Sequence, residues 1–189
     1  MTDYQDRQNW DLPSWPAMYD KLKELQVMIA ASPPGPALNL MTFTISSLAS
    51  GCRHCQAHGA YGLDQMGVPL EKIQALWEFE TSDLFDDRER AALRLGLAAG
   101  VSPSAVTPGH HADVRKHFSD AEARTLIGVI ALGGFMNRYN DTLATVTDTE
   151  SRDWAQLNLA DLGWTIGKHT GGEEEQRAAP PKLGAPPAE

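Results

Sequence analysis

The sequence predicts an all-α domain, and three observations carry that prediction. Apolar residues recur at helical spacing along most of the chain, capping side chains stand ahead of several of these runs, and strand-like alternation finds almost no support. With 189 residues, 42% of them hydrophobic, the chain is long enough to bury one ordinary core and too apolar to be disordered throughout.

The elements follow in order. Ser14 is placed to cap a first helix that opens near Pro16, in which Met18, Leu22, Leu25 and Ile29 share a face. The run SPPGP at 32–36 breaks the chain, and ALNLMTFTISSLAS after it is too long for a strand and predicts a second helix. Gly51 marks a bend into the cysteine segment, a helix expected to reach Met66, where Gly67 and Pro69 end it. A short helix, LEKIQALWEF, comes next. Asp86 and Glu89 form a capping-box pair at the start of DDRERAALRLGLAA, SPSAVTPG reads as a loop, and HHADVRKHF as a short helix. Ser119 and Glu122 open the longest helix, DAEARTLIGVIALGGFMNRYNDTLATV, which is apolar on most faces in its first half. Gly128, Gly133 and Gly134 each cost about 1 kcal/mol there relative to Ala, which predicts close approach of a neighbouring helix or subunit. Residues 1–12 are expected to be flexible, 13–168 to form the helical domain, and 169–189, rich in Pro, Ala and Glu, to be a disordered tail.

Charge and hydropathy exclude several classes. The longest apolar run, LIGVIALGGFM at 126–136, is far short of the roughly 20 residues of a membrane-spanning helix. The N-terminus has no basic start and no apolar run, so no signal peptide is expected and a cytoplasmic location is the default. A net charge of −9 without any basic run offers no cationic face for nucleic acid.

The chemistry concentrates in GCRHCQAHGAYG, residues 51–62. Cys52, Cys55 and His58 lie three apart and form a slanting stripe on one helix face. Two sulfurs at that spacing can close into a disulfide with little backbone movement. A helix N-terminus, Arg53, or a protonated His54 or His58 would favour a thiolate. A thiolate attacks a peroxide oxygen or a disulfide sulfur, and a second thiol can trap the resulting sulfenic acid. Two readings compete: inert core cysteines, and a zinc site, for which His110 and His111 could add ligands although a second C-x-x-C is missing. Asn137, Arg138, Asn140 and Asp141 read as hydrogen-bonding groups at a helix or subunit contact, and the five tryptophans as packing residues.

SSLASGCRHCQAHGAYGL resembles the signature of the alkylhydroperoxidase D / carboxymuconolactone decarboxylase superfamily, in its peroxidase-related branch. RERAALRLGLAAGVSPSAVTPGHHADVRKHFSDAEARTLIGVIALGGFMNRYNDTL is similar to that branch's second half, so the likeness runs from about residue 18 to 145. The resemblance implies a compact all-α domain that oligomerises through helices, as a trimer, hexamer or dimer. It also implies a thiol-dependent peroxidase that acts on a hydroperoxide and is re-reduced by an external thiol carrier. No bound cofactor or metal is implied. Carried over by position, Cys55 is the attacking cysteine and Cys52 its resolving partner, with His58 near the proton-relay histidine and His54 where some members also carry histidine. His58 stands three residues after Cys55, where many members have the relay histidine at four. Leu40 occupies the place of the relay glutamate, so His54 and His58 are expected to handle the proton without a carboxylate. Two alternatives follow from the same superfamily: a decarboxylase-like acid/base enzyme indifferent to the thiols, or a non-enzymatic oligomeric protein of the same fold.

Overall fold

The structure, a computed structural model, describes residues 9–171. Among these residues there are eight α-helices and four 3₁₀ turns, with no strand. The helices are α1 (Pro16–Ala30), α2 (Pro36–Ser50), α3 (Arg53–Gln65), α4 (Leu70–Gln74), α5 (Asp87–Gly100), α6 (Pro108–His117), α7 (Asp120–Leu143) and α8 (Thr149–Leu159). No helix among the described residues is long and apolar enough to cross a membrane. The flexibility expected of residues 1–8 and of 172–189 lies outside the described residues.

The local signals explain most boundaries. Asp86 accepts from the Glu89 backbone N–H and Glu89 returns to the Asp86 N–H, which closes the capping box that starts α5. Ser119 and Glu122 do the same for α7. Ser14 does not cap α1. It ends a preceding 3₁₀ turn (Leu12–Ser14), its hydroxyl donates to the Asn9 and Asp11 carbonyls, and Trp15 takes the cap position without a side-chain bond. α7 stops at Leu143 because Ala144 turns into the left-handed region (φ 52°), three residues short of the sequence expectation. Helix α8 has no counterpart in the sequence reading. Asp148 starts it by accepting from the Ser151 N–H at 2.9 Å.

α2 is the centre of the bundle and packs against α3, α5 and α7. Its buried face, with Leu38, Met41 and Ile45, joins Leu63 of α3, Leu93 of α5 and Leu126 of α7 in one core. α2 and α3 cross closely at Gly59, where a Cβ would run into the Thr44 hydroxyl. The three glycines of α7 divide. A Cβ on Gly133 would sit 3.0 Å from the Phe43 ring, so that one is needed for packing. Gly128 has only ordinary contact with Ile29, and Gly134 faces nothing within 4 Å. Of the tryptophans, Trp164 is fully buried, but Trp10 and Trp15 are exposed, so these two do not pack in the core. His169, which the sequence reading put in the tail, is 1% exposed and belongs to a 3₁₀ turn (Gly167–Thr170) held against α3 and the α7–α8 connection.

Candidate active site

The cysteine segment is placed by its entry from α2. Gly51 takes the left-handed conformation (φ 80°), a region that disfavours any side chain with a Cβ, and turns the chain sharply out of α2. Cys52 is then the N-cap of α3 and lies before its first turn, and its sulfur accepts from the Cys55 N–H at 3.4 Å. Cys55 sits at the third helical position, which brings its sulfur to 2.7 Å from that of Cys52. Both cysteines are free, and they are 0% and 2% exposed. Only Cys55, with His54 and His58, lines a cavity of about 420 Å³, whose other walls include Leu12, Tyr19, Leu40, Phe43 and Met136.

The two sulfurs are not equivalent. The Cys55 thiol is drawn below its ordinary value, first by the hydrogen bond from Cys52 and further by Asn137 and Asn140, against the effect of burial. The Asn140 side-chain N–H₂ reaches the Cys55 sulfur at 3.8 Å. Cys52 is pushed far up, first by the same bond, in which it is the donor, and then by burial. A single thiolate on Cys55, held by the Cys52 S–H, is the arrangement these contacts favour. Arg53 plays no part in it, since its guanidinium turns to the Gln56 side-chain carbonyl at 3.4 Å.

The charge state of His54 differs from the sequence expectation. His54 is lowered from 6.5 to about 3 by burial, then by neighbouring His58 and His169, so at neutral pH it is uncharged and supplies no positive charge to the thiolate. Its ring lies 4.3 Å from that of His58 and 5.6 Å from that of His169, and its Nδ1 meets the Thr147 hydroxyl at 3.2 Å. His58 Nδ1 faces the His54 carbonyl at 2.9 Å, and its Nε2 meets Asp148 Oδ2.

Asp148 places beside His58 a carboxylate that the sequence did not reveal. Leu40 does stand in the cavity wall as an apolar residue, and the carboxylate arrives from the α7–α8 connection, as the residue that caps α8. Asp148 divides its oxygens, Oδ1 capping α8 and Oδ2 holding His58. Its carboxyl is lowered: burial pushes it up, but the Ser151 N–H and the nearby His58 outweigh that. Sequence reasoning missed Asp148, Thr147 and His169. Asp148 ahead of Ser151 was legible as a helix start, but nothing in the local pattern ties it to His58. Asn137 and Asn140 were read as a helix or subunit contact. In the fold Asn137 donates to the Ser47 hydroxyl at 2.9 Å and Asn140 to the Cys55 sulfur. His110 caps α6 at Thr107. Among the described residues no group of three or more His, Cys, Asp or Glu is arranged to hold a metal ion.

No family model matches the chain, and no curated protein matches it. Among solved structures, the chain is similar to the debrominase Bmp8 without ligand, at 29% identity and a TM-score of 0.70 over 75% of this chain and 76% of that one. A cysteine-to-alanine variant of Bmp8 in complex with 2,3,4-tribromopyrrole matches at 28% identity and a TM-score of 0.71, over the same shares. A protein of unknown function from Agrobacterium tumefaciens, described as a candidate AhpD antioxidant defence protein, matches at 18% identity and a TM-score of 0.63. That match covers 71% of this chain and 92% of that one. The fold is alkylhydroperoxidase D-like. Proteins of this fold include an enzyme whose named activity is debromination.

Proposed function

We propose that the protein is a dithiol-dependent peroxidase in which Cys55 attacks and Cys52 resolves. The carrying observation is the pair of sulfurs 2.7 Å apart, of which only Cys55 faces a cavity shared with His54 and His58. The Cys55 thiolate attacks the terminal oxygen of a hydroperoxide, the O–O bond breaks, and the departing alkoxide takes a proton through His58, which Asp148 orients. The Cys55 sulfenic acid then loses its oxygen as water when the Cys52 sulfur attacks. The sum is one hydroperoxide and two thiols giving one alcohol, one water and one disulfide. An external thiol returns the disulfide to the dithiol, and the working form is a homo-oligomer, a point for sedimentation analysis. Purified protein with a dithiol reductant should consume an organic hydroperoxide, and Cys55→Ser should abolish this. Undiminished turnover in that variant refutes the assignment and points to acid/base chemistry independent of the thiols.

A second reading has specific support in the likeness to the debrominase and in the apolar cavity walls. The same two thiols would deliver two electrons to an aryl carbon–halogen bond, giving the arene, hydrogen halide and the disulfide. Halide release from a bromopyrrole, lost in Cys55→Ser, distinguishes it.

A further inference from the structure

The cavity beside Cys55 adjoins a second one. A cavity of about 210 Å³ lies between α1, α2 and α7, and four residues, Gln26, Leu40, Phe43 and Met136, line both. Ile29, Val129 and Leu132 give the second cavity apolar walls, and it contains neither cysteine nor histidine. Asn39, another of its lining residues, is 3% exposed. Its side-chain N–H₂ donates to the Ile29 carbonyl at 3.1 Å and to the Ser32 carbonyl at 2.8 Å, which fixes the amide's orientation. Its Oδ1 is then left as a buried acceptor without a protein partner. A buried unpaired acceptor is costly, and a donor brought to it is rewarded accordingly.

We propose that this second cavity is a substrate-tail subsite and that the substrate is a hydroperoxide on a linear apolar chain whose far end carries an O–H or N–H donor. The peroxide group lies at Cys55, the chain passes Leu40 and Phe43, and the terminal donor meets Asn39 Oδ1. Leu40 has a positive role in this arrangement, because a carboxylate at the junction of the two cavities would obstruct an apolar chain. The proposal rests on the dithiol reading of Cys52 and Cys55.

The test is the second-order rate of Cys52–Cys55 disulfide formation in the reduced protein, followed by loss of free thiol. The probes are primary alkyl hydroperoxides of increasing length, each with a methyl or a hydroxyl at its far end. The expected result is a rise of up to roughly fourfold per added methylene once the chain enters the second cavity. At the length that reaches Asn39, the hydroxyl-ended probe gains about three- to tenfold over its methyl-ended counterpart. Ala30→Trp, an exposed position on the rim of the second cavity, should reduce the ratio of long-chain to short-chain rates. Rates that stay flat or fall with length, while short hydroperoxides still oxidise the pair, overturn the subsite and leave the peroxidase reading standing. Absence of oxidation by every probe overturns both. A hydroxyl without benefit at any length removes Asn39 from the proposal. If Ala30→Trp alters the sedimentation coefficient and leaves the length dependence intact, the cavity is a contact between copies and the proposal fails.

Discussion

Acidification should destabilise this protein well above the pH at which carboxylates titrate, and His54 is the main reason. Folded, its imidazole titrates near 3, held there by burial and by the adjacent His58 and His169. Unfolded, it returns to about 6.5. Between those values the unfolded chain binds the extra proton, so stability rises with pH through this window and falls as pH drops below 6.5. Taking pH 7 and pH 5 as endpoints, the unfolded state gains about 2 kcal/mol from protonating this one side chain, while the folded state gains almost nothing. With a urea dependence of about 2 kcal/mol/M, the unfolding midpoint should drop by about 1 M between the two pH values. His169, lowered chiefly by burial, adds in the same direction. The assay is urea unfolding by far-UV circular dichroism at pH 7 and pH 5, for wild type and His54→Gln. The variant should lose most of the pH-dependent shift whatever its absolute stability. An equal drop in both proteins would show that His54 is not held neutral and would undo the account of its role.

Other outcomes follow from the same geometry. Cys52→Ser should stop turnover yet leave Cys55 oxidisable, so dimedone should label a sulfenic acid by mass spectrometry in that variant and not in Cys55→Ser. Asn140→Ala removes a donor to the Cys55 sulfur, and the pH midpoint of iodoacetamide alkylation should rise. Asp148→Asn retains the cap of α8 and removes the charge that holds His58, so peroxide turnover should fall roughly tenfold or more with little change in melting temperature. Gly59→Ala drives a methyl into the Thr44 hydroxyl at the α2–α3 crossing and should cost about 1–3 kcal/mol, read as a lowered melting temperature.

The sequence revealed the fold wherever the signal was local. Asp86 with Glu89 and Ser119 with Glu122 announced two helix starts because a capping box is written within four residues, and Gly51 announced the turn into the cysteines for the same reason. The dithiol was legible too, since its spacing is its chemistry. What could not be read was every partner that arrives from elsewhere in the chain. Asp148 is ninety residues from His58 in sequence and meets it only because α7 crosses α2 and the connection to α8 returns over α3. His169 reaches His54 by the same route, through a segment whose composition suggested no structure. The state of His54 was misjudged for a related reason, because burial and two nearby imidazoles decide it and neither is encoded beside it.

Both sulfurs have almost no outer surface, and in the proposed peroxidase cycle that bears on the return half more than on the first half. A small hydroperoxide can enter through the cavity, but a protein reductant must bring a bulky thiol to within bonding distance of a disulfide that has almost no outer surface. A dithiol small enough to enter the cavity has no such obstacle. Under steady turnover the oxidised form should therefore accumulate, and catalytic speed should track the girth of the electron donor more closely than its reduction potential.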